Sequence, residues 1–115
     1  MILRRSSTLL AVAVILAGCG SGGPTDKQRI SSIIKREGTH PATLCASLTG
    51  SMLASLGGRG ACLREAASAS TDPTTHAGAI RVRGASATAV EVNHNGSHTI
   101  SLVKRDGVWK VSGVS

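Results

Sequence analysis

The hydrophobic pattern of this chain changes its period near Gly78, and this change constrains the fold more than any other feature. Before it, apolar residues recur at helical spacing, as in the run Ile30–Ile34. After it, apolar residues alternate with polar or small ones in four short runs. The apolar positions of these runs are Ile80/Val82, Thr88/Val90/Val92, Ile100/Leu102 and Trp109/Val111. The sequence therefore predicts an α+β domain over residues 25–115, with two to three N-terminal helices packed on a four-stranded antiparallel meander.

Residue types that start and stop helices divide the first half of this domain. Thr25 followed by Gln28 predicts a capping box at the start of the first helix, and Gly38 is expected to end it. Apolar residues at four-residue steps predict a second helix with one apolar face, which Gly50 bends or splits. That face contains Leu44, Leu48, Met52 and Leu56. A glycine-rich stretch then precedes a short third helix over about residues 61–69.

The last two turns predict how the strands pair. A two-residue turn at Asp106-Gly107 places Leu102 opposite Val111 and keeps the apolar face together. For the preceding hairpin, a three-residue loop, His94-Asn95-Gly96, is expected, because it places Val90 opposite Ile100.

The N-terminus has the pattern of an export signal. Arg4 and Arg5 precede nine consecutive apolar residues, Leu9 to Ala17. Such a run spans about half of the hydrocarbon core of a bilayer as a helix, which is too short for a transmembrane segment. Residues 1–18 are therefore predicted to be a signal peptide.

The junction Leu16-Ala17-Gly18-Cys19 resembles the lipobox of bacterial lipoproteins. The resemblance implies that Cys19 is lipidated and becomes the first residue of the mature chain, and two or three acyl chains give a stable anchor. Residues 19–24 are then a short flexible tether. The expected location is the outer face of the bacterial cytoplasmic membrane. The alternative is ordinary secretion, with Cys19 as an incidental thiol.

Two cysteines, Cys45 and Cys62, remain after Cys19 is assigned to the lipid. An even pair in an exported domain favours a disulfide between them. Two buried free thiols, or a metal or redox site, are the alternatives, although the spacing is not that of metal ligands.

Other chemistry receives little support from the sequence. His76, His94 and His98 are close in sequence but lack metal-ligand spacing, so we expect surface positions and no metal or other cofactor. There is no Gly-x-Ser-x-Gly nucleophile motif. Trp109 is the single aromatic residue, which argues against a stacking platform for nucleic acid.

Helices followed by a meander that ends in Asp106-Gly107-Val108-Trp109-Lys110-Val111 resemble the cystatin-like/NTF2-like superfamily, and in particular its small envelope lipoproteins. The resemblance implies a curved sheet that wraps the helices and can enclose a pocket. The chain departs from the family pattern in two ways. No strand is recognisable between the second and third helices, and the predicted inner face lacks the polar groups that enzymatic members use. Trp109 is expected to be a core anchor.

These observations predict a non-catalytic lipoprotein that binds a partner protein or an envelope component near the membrane. A loose positive patch of Arg81, Arg83 and Lys110 is one candidate surface. The alternative function is a carrier of a small apolar ligand in a cavity between sheet and helices. The expected lining of that cavity is Ile80, Val90, Ile100, Leu102 and Trp109. Catalysis would need a polar dyad inside the sheet, where the pattern predicts none.

Overall fold

The computed structural model describes residues 23–115. The helices are α1 (Asp26–Thr39), α2 (Ala42–Ala46), α3 (Gly50–Ser55) and α4 (Arg59–Ser68), and the strands are β1 (His76–Arg83), β2 (Ser86–Asn93), β3 (Gly96–Arg105) and β4 (Val108–Val114). The strands form one antiparallel sheet in the order β1-β2-β3-β4, with the helices packed on it. The predicted α+β meander is confirmed. The predicted signal peptide and Cys19 lie outside the described residues, and no helix within 23–115 is long and apolar enough to cross a membrane.

Helix α1 starts at the predicted capping box. The Thr25 hydroxyl accepts from the backbone N–H of Gln28, and the Gln28 side chain accepts from the N–H of Thr25. Gly38 lies inside the last turn of α1 instead of ending the helix. A Cβ atom at Gly38 would clash with the carbonyl oxygen of Asp72. Glycine is therefore needed here because the loop before β1 lies directly against the helix.

The predicted second helix is two helices, α2 and α3, separated by residues 47–49. This segment makes two backbone hydrogen bonds with Val111 of β4, of 2.7 and 2.9 Å, and forms a one-residue parallel bridge where the sequence shows no strand. The Thr49 hydroxyl then accepts from the N–H of Met52 and caps α3. The expected split therefore results from this pairing and this cap, which precede Gly50.

The β3–β4 hairpin has the predicted register, with Leu102 opposite Val111. Asp106 and Gly107 form its two-residue turn with φ of 53° and 76°. Positive φ at both turn residues matches the right-handed twist of the strands, and aspartate followed by glycine tolerates it.

The β2–β3 hairpin differs from the prediction. Asn93 pairs with Gly96, so the turn contains only two residues, and Val90 lies opposite Thr99 instead of Ile100. A shift of one residue reverses the face of every side chain on a strand. The buried residues of β2 are consequently Ala87, Ala89 and Glu91, and the expected inward face of Thr88, Val90 and Val92 is wrong.

The packing of α1 explains why alanines face inward on β2. Ile30 and Ile34 of α1 are completely buried and belong to the same core cluster as Ala87 and Ala89. Methyl side chains on the strand leave room for the isoleucines, whereas valines would have to displace the helix.

The core is closed by one aromatic ring and one disulfide. Trp109 is 2% exposed, as expected of a core anchor. Cys45 of α2 and Cys62 of α4 form the predicted disulfide. A cross-link that closes a loop of this length stabilises the fold by about 3 kcal/mol, mainly by restricting the unfolded chain.

Candidate functional site

A cavity of about 430 Å³ opens between the helices and the end of the sheet where β2 turns into β3. We call it the cavity. Its walls come from the last turn of α1, from α2 and α4, from the loop before β1 and from the end of β2. A recess of about 70 Å³ lies beside it among core residues. Four residues line both spaces and so mark their junction: Glu37, Leu44, Leu56 and Glu91.

Two of the four junction residues are carboxylic acids from different elements. Glu37 is on the last turn of α1, and Glu91 is on the inner face of β2. Burial, a hydrogen bond to Glu91 and the negative charge of Glu91 raise the pKa of Glu37 to about 8. Glu37 is therefore largely protonated near neutral pH.

Glu91 is the most enclosed carboxylic acid of the site. Its residue is 2% exposed, and its Oε2 atom accepts no hydrogen bond from the described residues. The Nε2 atom of His98, opposite on β3, lies 3.0 Å from this oxygen, but not in the direction required for a hydrogen bond. Oε2 thus has an ion-pair neighbour when His98 is protonated, yet retains an unused acceptor position.

Asp72 holds the mouth of the cavity together. Its carboxylate accepts from the hydroxyl and the backbone N–H of Thr74, from the His94 ring 2.7 Å away and from the His94 backbone N–H. These bonds lower the pKa of Asp72 well below its ordinary value. The loop before β1 is thereby fixed to the β2–β3 turn by a carboxylate that remains ionised.

The predicted cavity lining is mostly wrong. Of the five predicted residues, Ile100 alone lines the recess, and none lines the cavity. Leu102 and Trp109 are buried in the closed core, and Ile80 packs against it. Val90 lies on the opposite face of the sheet, because the register of β2 differs from the expected one.

The three histidines do not converge. The His76 ring contacts the carbonyl oxygen of Thr74, while His94 pairs with Asp72 and His98 with Glu91. His98 is half-buried on the inner face, not on the surface as expected. Within residues 23–115, no group of three or more histidine, cysteine, aspartate or glutamate side chains is arranged to hold a metal ion.

Sequence reasoning missed the Glu37–Glu91 pair and wrongly predicted that no polar dyad lies inside the sheet. One signal was present. A two-residue turn at His94-Asn95 places Glu91 opposite His98, and an acid opposite a histidine is a favourable cross-strand pair. The contact with Glu37 could not be read in this way, because it depends on where α1 crosses the sheet.

No protein-family model matches the chain, and neither a curated protein nor a solved structure matches it significantly. The candidate site therefore rests on its own geometry.

Proposed function

We propose that the protein is an exported lipoprotein, anchored through Cys19, whose domain binds a small ligand in the cavity between helices and sheet. The observation that carries the binding is the junction of cavity and recess, where two carboxyls meet two leucines. Ligand sites commonly combine apolar walls with a few polar groups that fix orientation. The position of the cavity, between sheet and helices, is also the one that the resemblance to the cystatin-like/NTF2-like superfamily implies.

The proposed action is binding without catalysis. Cys45 and Cys62 line the cavity, but their sulfur atoms are joined to each other and so provide no thiolate nucleophile. Asp72 is fully engaged in fixing the mouth. The remaining Glu37–Glu91 pair offers charge and hydrogen-bond acceptors, which suit the holding of a ligand.

Binding can be tested with three four-carbon probes of different charge: n-butanol, n-butylammonium and butyrate. We expect at least one of them to bind the full chain in a neutral detergent, measured by NMR titration. Leu44→Trp should abolish this binding, because the larger side chain fills the junction. Leu63→Trp is the matched control, since Leu63 is 39% exposed on α4 and lines neither space. The binding proposal fails if no probe binds, or if both variants weaken binding equally.

The anchor requires a separate test. Mass spectrometry of the protein isolated from a bacterial membrane should find residue 19 as the first residue, carrying acyl groups. A Cys19→Ser variant should leave the membrane fraction. An unmodified Cys19, or cleavage at another bond, would refute the lipoprotein assignment and leave the ligand proposal intact.

A second candidate is binding of a partner protein or an acidic envelope component by the sheet face opposite the helices. A groove of about 460 Å³ on this face is lined by Arg81, Arg83 and Ser112 among others. Lys110 is not part of it, because its ammonium group donates to the carbonyl oxygen of Ala46. Cross-linking in membranes should yield adducts that the double variant Arg81→Glu/Arg83→Glu loses. The double variant Lys27→Glu/Lys35→Glu, an equal reversal of charge on exposed α1 surface, should retain them.

A further inference from the structure

The acidic residues of this chain are concentrated at one place. The sequence has 13 lysines and arginines against 6 acidic residues, for a net charge of +7. Four of those six line the cavity: Glu37, Glu65, Asp72 and Glu91. No lysine or arginine among the described residues lines it. A cleft walled by one sign of charge attracts ligands of the opposite sign, so the cavity favours cations on a protein that otherwise favours anions.

One of these acids is built into the fold as an unused acceptor. Glu91 is 2% exposed and lines both cavity and recess, and its Oε2 atom accepts no hydrogen bond within the described part of the chain. A buried acceptor without a donor is destabilising, and native structures rarely tolerate one without a reason. A ligand that carries N–H donors would satisfy this oxygen and bring the compensating charge.

The other junction residues indicate what is attached to that charge. Leu44 and Leu56 line both spaces beside the two carboxyls, so an aliphatic chain next to a cationic group would contact leucine side chains. A bare metal ion suits this site poorly, because no three ligating side chains within residues 23–115 are arranged around one point.

We propose that the cavity binds a small organic cation, an ammonium or guanidinium group on a short aliphatic chain, with its charged end at Glu37 and Glu91 and its chain along Leu44 and Leu56. This proposal rests on the proposed ligand-binding function and names the ligand class. The raised pKa of Glu37 adds a consequence. A cation at the junction favours the ionised carboxyl, so Glu37 releases its proton to solvent when the cation binds near neutral pH. The groups that share this environment are Glu91, His98, Glu65, Asp72 and His94.

The test compares n-butylammonium with n-butanol and butyrate, using the full chain in a neutral detergent near neutral pH. We expect n-butylammonium to bind at least about tenfold more tightly than n-butanol, because it gains one charge-assisted hydrogen bond. Butyrate should bind most weakly. Isothermal titration in two buffers of different ionisation enthalpy should show proton release for the cation alone.

Glu91→Gln keeps the shape of the side chain and removes its charge, so it should abolish the preference for n-butylammonium over n-butanol. Glu37→Gln is the second variant, and it should also abolish proton release. Asp106→Asn removes the same charge at the β3–β4 turn, outside both spaces, and should change nothing.

Each remaining outcome counts against the proposal. Equal or tighter binding of n-butanol or butyrate would overturn the cation assignment but leave a small-ligand site. An equal loss in Asp106→Asn and Glu91→Gln would attribute the preference to overall charge and overturn the assignment to this junction. If none of the three probes binds, both the ligand class and the proposed function fail.

Discussion

Helix α1 carries one carboxyl group near each end, and the two ends place them in opposite environments. In the first turn, Asp26 accepts hydrogen bonds from the Trp109 indole N–H at 3.0 Å and from the Lys104 ammonium at 3.1 Å. These bonds, and the positive charge of Lys104, lower its pKa. In the last turn, Glu37 faces a second carboxyl in a half-enclosed space, and its pKa is raised to about 8.

The difference separates the part of the molecule that maintains the fold from the part that we propose binds a ligand. At the Asp26 end the carboxylate accepts from both the Trp109 indole and the Lys104 ammonium, and this ammonium also lies 5.9 Å from the Trp109 ring centre. At the Glu37 end, an acceptor remains free and a cavity remains open. Polar groups whose hydrogen bonds are all made within the protein stabilise the fold, whereas a buried acceptor without a donor gains from a ligand that supplies one.

Removing the Trp109 ring from the Asp26 end, which we call the closed end, should have the largest effect on stability. Trp109→Ala deletes the one aromatic side chain, which is 2% exposed, and should lower the free energy of unfolding by about 3 to 5 kcal/mol. Urea denaturation followed by circular dichroism measures this. Trp109→Phe should be intermediate, because it keeps part of the packing but loses the bond to Asp26. A cost for Trp109→Ala no greater than that of Leu63→Ala, at an exposed position, would contradict the assignment of this end as the anchor.

Gly38→Ala probes the contact between α1 and the loop before β1 at the Glu37 end, which we call the open end. Its new methyl group would clash with the carbonyl oxygen of Asp72 and with the Cβ of Thr75, both of which belong to the loop that borders the cavity. We expect a loss of about 1 to 3 kcal/mol in unfolding free energy, as for other overpacked sites. Gly50→Ala is the control on α3, where a methyl group meets nothing within 4 Å. Similar stability changes in the two variants would show that the loop yields to the methyl group.

The contrast between the two ends also marks how far the sequence could predict the structure. The capping box at Thr25, the disulfide and the turn at Asp106 were predictable, because each depends on residues at fixed local spacing or on an even cysteine count. The inward position of Trp109 followed from the strand alternation beside that turn. The structure of the closed end is therefore largely predictable from local sequence patterns.

The structure of the open end could not be predicted in this way. The sequence of β2 contains two sets of alternate residues, and local patterns do not show which set faces the core. One set contains Val90 and Val92, and the other contains Ala89 and Glu91. Hydrophobicity favours the valines, yet the alanines are the residues that share the core cluster with Ile30 and Ile34 of α1. Glu91 belongs to the same set of alternate residues as the alanines, so it also faces inward and becomes part of the candidate site. Finding it required the distance between helix and sheet, which no residue spacing encodes.

Glu37→Gln should show the effect of the open end on stability. The ordinary pKa of this carboxyl is 4.5, and its raised folded value is about 8. Between these values the folded state holds a proton that the unfolded state has lost, so stability falls as pH rises across this window. Glu37 is partly exposed, so we expect a fall of about 1 to 2 kcal/mol in unfolding free energy. Urea midpoints across this range should fall in the wild type and less in Glu37→Gln. Glu65→Gln, which also removes a cavity-lining carboxyl, should keep the wild-type slope. An unchanged slope in Glu37→Gln would refute the assignment of this effect to Glu37.

Asp26→Asn tests the opposite sign on the same helix and should have the smallest effect. The folded pKa of Asp26 lies below its ordinary value of 3.8, so its stabilising contribution is present above that value and is lost as pH falls through the lower, folded one. The effect is small because 36% of the side chain is exposed and water screens the charges. Asn keeps an oxygen for the Trp109 indole N–H but loses the charge that favours the helix N-terminus and Lys104. The unfolding free energy of the wild type should therefore fall more on acidification than that of Asp26→Asn, which urea midpoints measured at decreasing pH can show. Asp106→Asn, at a turn where asparagine tolerates positive φ, should keep the wild-type dependence. If Glu37→Gln and Asp26→Asn changed the pH dependence in the same direction, the two ends of α1 would not differ in the way their contacts indicate.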